Sequence, residues 1–185
     1  MIDEIHNEAK TGMDKAVAHA ADEFAAIRTG RANPSLFANV TVEYYGAPTP
    51  LNQLASFQNP EARTLLITPY DQSSLSAIEG ALRDSDLGAN PSNDGSVIRI
   101  TMPELTAERR KEYIKLAQSQ AEDAKVSIRH VRRHAKDTID KLVKDGDVGE
   151  DEGTRGEKDL DALTKKYVEN VDVLLKSKEA ELSEV

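Results

Sequence analysis

Four basic side chains repeat at a spacing that suits them to binding phosphate groups. They follow an i, i+4, i+7, i+11 pattern and are Lys125, Arg129, Arg132 and Lys136. On a helix this spacing places all four on one face. Lys111 and Lys115 extend the face about two turns further back, after which Glu122 interrupts it. The arginines at the centre suit bidentate bonding to phosphate and stacking on bases.

The segment 105–136 is basic in a chain that is otherwise acidic. It holds nine Lys/Arg against four Asp/Glu, a formal charge of +5, whereas the 185-residue chain carries −9 and the rest of it therefore −14. Such a local positive face can hold a polyanion while the acidic remainder limits nonspecific binding. The alternative is a solvated helix face that pairs with acidic neighbours. The segment holds too few acids to neutralise itself, but charge alone leaves both interpretations open.

Catalytic and metal chemistry find little support in the sequence. His130 and His134 are four residues apart and could share a metal, but no third ligand accompanies them and the adjacent arginines would repel a cation. Residues 145–151 resemble a calcium loop, but Glu150 stands at the sixth position, where glycine is needed. The chain has no cysteine and no phosphate-binding glycine loop. We therefore expect no enzymatic activity, no metal and no cofactor.

Two smaller features allow two interpretations each. Tyr44 and Tyr45 could stack on bases, but on an alternating strand one of them would face the core and the other water. Residues 28–31 could be purely structural, with Arg28 bonding helix carbonyls, or could place two cations at a junction between domains.

Three segments with apolar residues at a helical period must position the basic face. The periodic series runs from Ile2 to Ile27, from Ile114 to Leu142, and from Leu160 to Leu182 with Lys178 interrupting. Each helix should bury one stripe, and the three can bury their stripes together. At 1.5 Å per residue they would extend roughly 40 to 60 Å, which predicts an elongated bundle.

Residues 31–103 have a different sequence pattern, in which short runs of alternating apolar and polar residues are separated by residues typical of turns. The predicted elements are strands at 40–45, 51–57, 64–68 and 96–100, a turn at 46–50, and a short helix at 74–83 with Ser76 and Glu79 at capping-box spacing. The predicted fold class is therefore α+β: an elongated antiparallel three-helix bundle with an inserted small, β-rich, sandwich-like α/β domain. We expect the bundle to comprise residues 1–30 and 105–185 and the inserted domain residues 31–104.

Several motifs, spread over the whole chain, are similar to those of one known family. They are residues 27–34, 42–46 with Pro48 and Pro50, 53–56, 85–91, 105–110, 126–133 and 178–182. Together they closely resemble the bacterial ribosome recycling factor family. One position departs from the family pattern, since His130 stands where a polar residue such as Asn is usual.

The resemblance implies an L-shaped molecule with a flexible hinge and dimensions like those of transfer RNA. It implies binding to the ribosome after termination, while messenger RNA and deacylated transfer RNA are still bound. With elongation factor G and GTP, such a protein splits the ribosome into subunits and hydrolyses nothing itself. Its helical domain would lie on large-subunit ribosomal RNA near the peptidyl-transferase region and the intersubunit bridges.

Family roles can be carried onto matching positions of this chain. Arg129 and Arg132 correspond to the main RNA contacts, with Arg110 and Arg133 in support. The residues that match the hinge are Gly30, Arg31, Glu104, Leu105 and Thr106. No apolar run resembles a signal peptide or a bilayer-spanning segment, so we expect a cytoplasmic protein without membrane contact. We also expect the protein to be a monomer. The rival functions are a helical adaptor whose basic face meets an acidic protein and, less favoured, an enzyme.

Overall fold

A computed structural model describes residues 1–184, which form two compact units. The first unit contains residues 1–28 and 107–184, and the second contains residues 29–106. The helices are α1 (Ile2–Ala26), α2 (Pro34–Phe37), α3 (Leu75–Asp84), α4 (Ala107–Lys144) and α5 (Glu150–Ser183). The strands are β1 (Thr41–Tyr44), β2 (Ala47–Pro50), β3 (Ala55–Glu61), β4 (Thr64–Pro69), β5 (Pro91–Asn93) and β6 (Ile98–Thr101). The predicted α+β class is thus confirmed.

The first unit is a three-helix bundle of α1, α4 and α5. Since α4 and α5 are joined by a short connection, they run antiparallel. The His6 Nε2 atom lies 2.9 Å from the Gly156 carbonyl oxygen, and Tyr167 bonds Asp14, so α1 runs parallel to α5. The core is mostly aliphatic and includes Met13, Phe24, Ile128, Ile139, Leu160 and Val171. None of the helices in the described chain is long and apolar enough to cross a membrane.

Small residues let the helices approach closely at one end of the bundle. A Cβ atom added to Gly153 would lie 2.5 Å from Val143 Cγ2, and one added to Gly156 would lie 3.1 Å from Ile2 Cγ2. Lys178, which interrupts the apolar series of α5, is nevertheless buried, and its Nζ atom lies 3.1 Å from Glu181 Oε2. Its aliphatic stem can therefore fill the stripe while its charge is paired.

A buried tyrosine connects the first and third helices of the bundle. The Tyr167 hydroxyl donates a hydrogen bond of 2.5 Å to Asp14 Oδ1. Burial, and secondly the bond to this carboxylate, raises the pKa of Tyr167 to about 12 from its ordinary 10.0. The folded protein therefore holds this proton more tightly than the unfolded chain does. The resulting stabilisation is fully present below about pH 10 and is lost as the pH rises towards 12.

We expect Tyr167→Phe to lower the free energy of unfolding at neutral pH by about 1 kcal/mol, because one interhelical hydrogen bond is lost. It should also remove the tyrosinate absorbance transition near pH 12 from the titration of the folded protein. Tyr70→Phe is the control, because Tyr70 is exposed and its replacement should leave the transition near pH 12 in place. A transition near pH 12 of undiminished size in Tyr167→Phe would contradict the assignment.

The second unit combines a four-stranded antiparallel sheet with a separate hairpin. The strand order in the sheet is β3-β4-β6-β5, and β1 pairs with β2 alone. Its core is apolar and includes Phe37, Val42, Leu51, Leu65, Ile67, Ile78, Leu82, Ile98 and Ile100. The hairpin turn is Tyr45-Gly46, with φ values of 51° and 79°, as a two-residue turn with positive φ at both positions requires.

Some predictions for this unit were wrong. The segment predicted as a turn at 46–50 contains strand β2, because Pro48 and Pro50 occupy positions where the strand pairing needs no N–H. The strand predicted at 51–57 begins as a 3-10 turn and becomes extended only at Ala55. No capping box forms at α3, because Ser76 lies inside the helix. Helix α2, capped by Asn33, and strand β5 were not predicted.

Candidate nucleic-acid interface

Helix α4 carries the basic residues, and its apolar stripe determines which of them are exposed. The buried residues on its inner side are Ala117, Ala121, Ala124, Ile128, Ala135 and Ile139. At about 100° per residue, Arg129 and Arg133 lie roughly 100° and 140° around the helix from Ile128. Both are exposed, so the predicted separation of the apolar and charged sides is confirmed at these positions.

Of the four cations predicted to share one face of α4, three are paired with acids of α5. Salt bridges join Lys125 to Asp172 at 2.5 Å, Arg132 to Asp161 at 2.6 Å and Lys136 to Glu157 at 3.8 Å. The segment itself does hold too few acids to neutralise its charge, but its antiparallel neighbour supplies others, so for these three cations the alternative of pairing with acidic neighbours holds. These three side chains lie along the seam between α4 and α5, and Arg129 lies outside it.

The ion pairs raise the pKa of both lysines and direct their charge at carboxylates. Hydrogen bonding to Asp172 is the main cause that raises the pKa of Lys125, and bonding to Asp140 is the main cause that raises the pKa of Lys136. Both therefore remain cationic at physiological pH, but their charge is directed at a carboxylate. A polyanion would have to compete with that carboxylate for either lysine.

Asp161 binds two of the three guanidinium nitrogens of Arg132. Its Nε and Nη2 atoms both lie 2.6 Å from the same oxygen, Oδ1 of Asp161, and its side chain is 33% exposed. Within the described chain Nη1 makes no hydrogen bond. Arg132 can therefore offer one edge of its guanidinium group to a phosphate or can exchange Asp161 for one.

Four cations of the segment 105–136 remain available and form a line on the outer surface of α4, here called the open basic strip. Its members are Lys111, Lys115, Arg129 and Arg133. All four are exposed, and none forms an ion pair with another described residue. The strip spans 22 residue steps, or about 33 Å of helix. Two exposed residues that lie between its two halves are Val126, which is 60% exposed and offers apolar contact, and Glu122, whose Oε1 atom lies 3.5 Å from Lys125 Nζ.

Arg110 does not belong to this strip. It lies about 100° around the helix from Arg129, and its side chain is half buried. Its Nε atom is buried without a hydrogen-bond partner among the described residues. The predicted set is thus divided: Arg129 and Arg133 lie together and exposed, Arg132 lies in the seam, and Arg110 points elsewhere.

The two histidines of α4 border a groove against α1. This groove of about 350 Å³ has an apolar floor of Ile5, Ala9, Val131 and Ala135, with Glu8, His130, His134 and Thr138 at its rim. No group of three or more His, Asp or Glu side chains in the described residues is arranged to hold a metal ion.

The residues predicted as a hinge lie in two neighbouring segments without regular secondary structure, 30–31 and 104–106. Gly30 has a φ of 78°, and a Cβ atom there would lie 3.3 Å from Leu105 Cγ. The Ala32 N–H donates to the Ala62 carbonyl oxygen at 2.9 Å, and the Met102 N–H donates to that of Arg63 at 2.8 Å. The β3–β4 turn therefore anchors both segments on the side of the second unit. Both Glu104 and Thr106 are exposed and Arg31 is half buried.

The tyrosine pair has a structural explanation. Tyr44 and Tyr45 lie edge to face with ring centroids 4.6 Å apart, and their hydroxyls donate to Asp71 Oδ2 at 3.0 and 3.4 Å. The bond to Asp71 is the main cause that raises the pKa of Tyr44. Hydrogen bonds from Ser73, and then from Tyr44, lower the pKa of Asp71. As predicted, one ring is partly buried while the other, Tyr45, is 83% exposed.

The acids of α5 were missed although the sequence carried a signal for them. Glu157 and Asp161 are four residues apart, as are Arg132 and Lys136, and an antiparallel helix pair brings equal spacings into register. Comparing charge spacings between predicted helix neighbours would have revealed the pairing.

Comparison with known proteins connects this geometry to a family. The family model described as Ribosome recycling factor matches residues 20–182. The chain is 68% identical to the ribosome-recycling factor of Kocuria rhizophila, with 98% of both chains covered. It is 66% identical to that of Renibacterium salmoninarum, with both chains fully covered.

Solved structures agree with the sequence comparison. A solution structure of a ribosome recycling factor matches with a TM-score of 0.81 and 40% identity, covering 100% of this chain and 98% of that one. A second match has a TM-score of 0.68 and 42% identity, with 98% of each chain covered. It belongs to models of the T. thermophilus ribosome recycling factor and the E. coli elongation factor G bound to the E. coli post-termination complex.

Proposed function

This chain belongs to the ribosome recycling factor family, and from that membership we propose that it binds the post-termination ribosome. With elongation factor G and GTP it then dissociates the ribosome into subunits, releasing messenger RNA and deacylated transfer RNA. The observation that carries the proposal is 66% identity to a named ribosome-recycling factor over the full length of both chains. The similarity to a factor described together with elongation factor G on a post-termination complex supports the choice of partners.

The bundle anchors the protein to large-subunit ribosomal RNA near the peptidyl-transferase region and the intersubunit bridges. The open basic strip supports this assignment, because its cations are exposed and none is neutralised by a described residue. Arg129 and Arg133 are the primary contacts, and Arg132 is added when phosphate replaces Asp161. Arg110 contributes least, since its side chain is half buried on another side of α4.

The second unit moves while the first stays anchored. The crossings at Gly30–Arg31 and Glu104–Thr106 act as the hinge, and the domains are divided at residues 30/31 and 104/105. Gly30 supports this role, since its positive φ is a conformation that only glycine adopts at low cost. Elongation factor G supplies the force, and long helices suit its transmission to an intersubunit bridge.

The protein performs no covalent chemistry of its own and needs no cofactor. It acts as a monomer in the cytoplasm, where ribosomes terminate translation. GTP hydrolysis belongs to elongation factor G. The family membership supports these statements, since the named relatives are translation factors.

The deciding experiment is sedimentation of post-termination ribosomes with elongation factor G and GTP, in the presence and absence of this chain. We expect conversion of 70S particles to subunits only when all three are supplied. An unchanged 70S peak with the complete mixture would overturn the proposal. Omitting GTP is the control that separates splitting from simple ribosome binding.

Freeing Arg132 should strengthen the RNA contact. Asp161→Asn removes the carboxylate that holds both Nε and Nη2 of Arg132. Because this ion pair is partly exposed, we expect a loss of at most about 1 kcal/mol in the free energy of unfolding. Ribosome affinity should rise several-fold, measured by equilibrium binding at constant salt. Asp159→Asn, which makes the same charge change at an exposed site without a salt bridge to any described residue, is the control.

A rise in both variants would mean that only net charge matters. A fall in affinity with Asp161→Asn alone would mean that the ion pair itself orients Arg132 for binding. Either result would remove Arg132 from the residues that exchange their carboxylate for phosphate.

A further inference from the structure

One edge of strand β1 pairs with β2, and the other edge pairs with no strand of the described residues. The Leu51 N–H donates to the Val40 carbonyl oxygen at 2.9 Å, which sets the alternation of the β1–β2 ladder. Bonded pairs then fall at Val42 with Thr49 and at Tyr44 with Ala47. Thr41 and Glu43 lie opposite Pro50 and Pro48, which have no N–H. Their own backbone groups therefore point away from β2.

The free edge borders an open groove against α3. This β1–α3 groove of about 650 Å³ is lined by Thr41 and Glu43 on one side and by small residues of α3 on the other. Thr41 and Glu43 are both exposed, and neither N–H donates to another described residue. An unpaired strand edge with free N–H and C=O groups is a template for another strand.

Gly80 lines the groove without a side chain that would occupy it. It lies inside α3, where glycine costs about 1 kcal/mol relative to alanine. A Cβ atom added there would meet nothing within 4 Å, so the packing of the unit does not require glycine. What the missing side chain provides is space above the helix backbone, beside the strand edge.

The charge of the groove indicates what could fill it. Glu43 lies on the strand side and Asp84 on the helix side, and neither forms an ion pair with a described residue. No lysine or arginine lines the groove. The unit that contains it, residues 29–106, has eight Asp/Glu against four Lys/Arg. A basic segment is therefore complementary, and an acidic one is repelled.

We propose that the β1–α3 groove binds an extended, Lys/Arg-containing segment of a partner protein, which adds to β1 as a further strand. Backbone hydrogen bonds to Thr41 and Glu43 hold the segment, and its cations contact Glu43 and Asp84. Side chains that point towards α3 are accommodated above Gly80. The site belongs to the second unit and does not depend on the open basic strip or on the proposed function.

The test uses the full-length chain and a synthetic eight-residue peptide of alternating Lys and Val with blocked ends. Hydrogen exchange of the Thr41 and Glu43 amides, followed by NMR, reports strand addition. We expect saturating peptide to slow exchange at both amides by about tenfold or more, because each becomes hydrogen-bonded. A peptide that fails to bind at millimolar concentration, or binds without protecting these amides, overturns the proposal.

Two variants separate the groove from general attraction to an acidic unit. Gly80→Gln fills the groove with a good helix former, so the fold should be at least as stable while the peptide dissociation constant rises about tenfold or more. Asp84→Lys should weaken binding similarly, and Glu61→Lys, which changes the charge equally on exposed β3, should not. Equal effects of the two lysine variants, or full binding by Gly80→Gln, would contradict the site.

Peptide controls identify the binding mode and the class of partner. The same peptide with alternate backbone nitrogens methylated keeps its charge but loses the ladder donors and should bind at least about tenfold more weakly. An Asp/Val peptide should not bind. Equal binding of the methylated peptide, or protection of the same amides by an RNA oligonucleotide, would overturn strand addition by a basic protein segment.

Discussion

Replacing Arg129 and Arg133 together with alanine is expected to weaken ribosome binding roughly 10- to 100-fold at physiological salt. The two side chains are exposed, lie one helix turn apart and form no ion pair with a described residue. Their full charge is thus available to phosphate. The expected loss corresponds to about 0.7 to 1.4 kcal/mol for each side chain, since a factor of ten in affinity is about 1.4 kcal/mol. Neither side chain supports the bundle core, so the free energy of unfolding should change little.

The salt dependence of binding gives an independent readout. The logarithm of the binding constant falls linearly with the logarithm of the salt concentration. Each phosphate contact that releases counterions makes this negative slope steeper by about 0.7 to 0.9. The double variant should therefore lose about 1.5 from that slope. Equilibrium binding to 70S ribosomes at several salt concentrations measures both the affinity and the slope.

Arg155→Ala/Lys158→Ala is the matched control, because it removes two exposed cations from α5. If net charge alone governed binding, both double variants would lose the same affinity. If the strip instead met an acidic protein, purified large-subunit RNA would not compete for binding. Parental affinity in the Arg129/Arg133 variant would exclude the strip as the anchor.

The bundle could be predicted because its helices carry long, regular apolar periods. Ile128 and Ile139 fall on the buried stripe of α4, and Arg129 beside them is exposed, as the period requires. In the second unit the elements are short, and local propensity competes with pairing. Strand β2 forms despite two prolines because register places them where no N–H is needed. Register is a tertiary property that a single segment does not encode.

The candidate site also has one part that local sequence predicts and another that depends on tertiary packing. The identity of the cations and their position on α4 follow from local sequence. Which of them are free depends on the partner helix: Asp161 and Asp172 reach Arg132 and Lys125 only after α5 packs in register. In the proposed interface the emphasis therefore passes from Arg132 to Arg133, a residue that the family resemblance had placed in support.

Gly153→Ala is expected to lower the free energy of unfolding of the bundle by up to about 2 kcal/mol, although alanine favours helix formation. A Cβ atom at this position would lie 2.5 Å from Val143 Cγ2, so α4 and α5 must separate or Val143 must change rotamer. Overpacking of this kind costs about 1 to 3 kcal/mol, more than the gain of about 1 kcal/mol in helix propensity. Urea unfolding monitored by far-UV circular dichroism measures the change.

Gly80→Ala is the opposite case and the control. Nothing lies within 4 Å of its added Cβ, so only the propensity gain remains and stability should rise by about 0.5 to 1 kcal/mol. A gain for both variants would mean that the approach at Gly153 is not tight. Val143→Ala supplies the final discrimination, because it removes the Cγ2 atom that the new Cβ would meet. If the clash is the cause, the Gly153→Ala/Val143→Ala chain will be more stable than the two separate losses predict, since each change relieves the other.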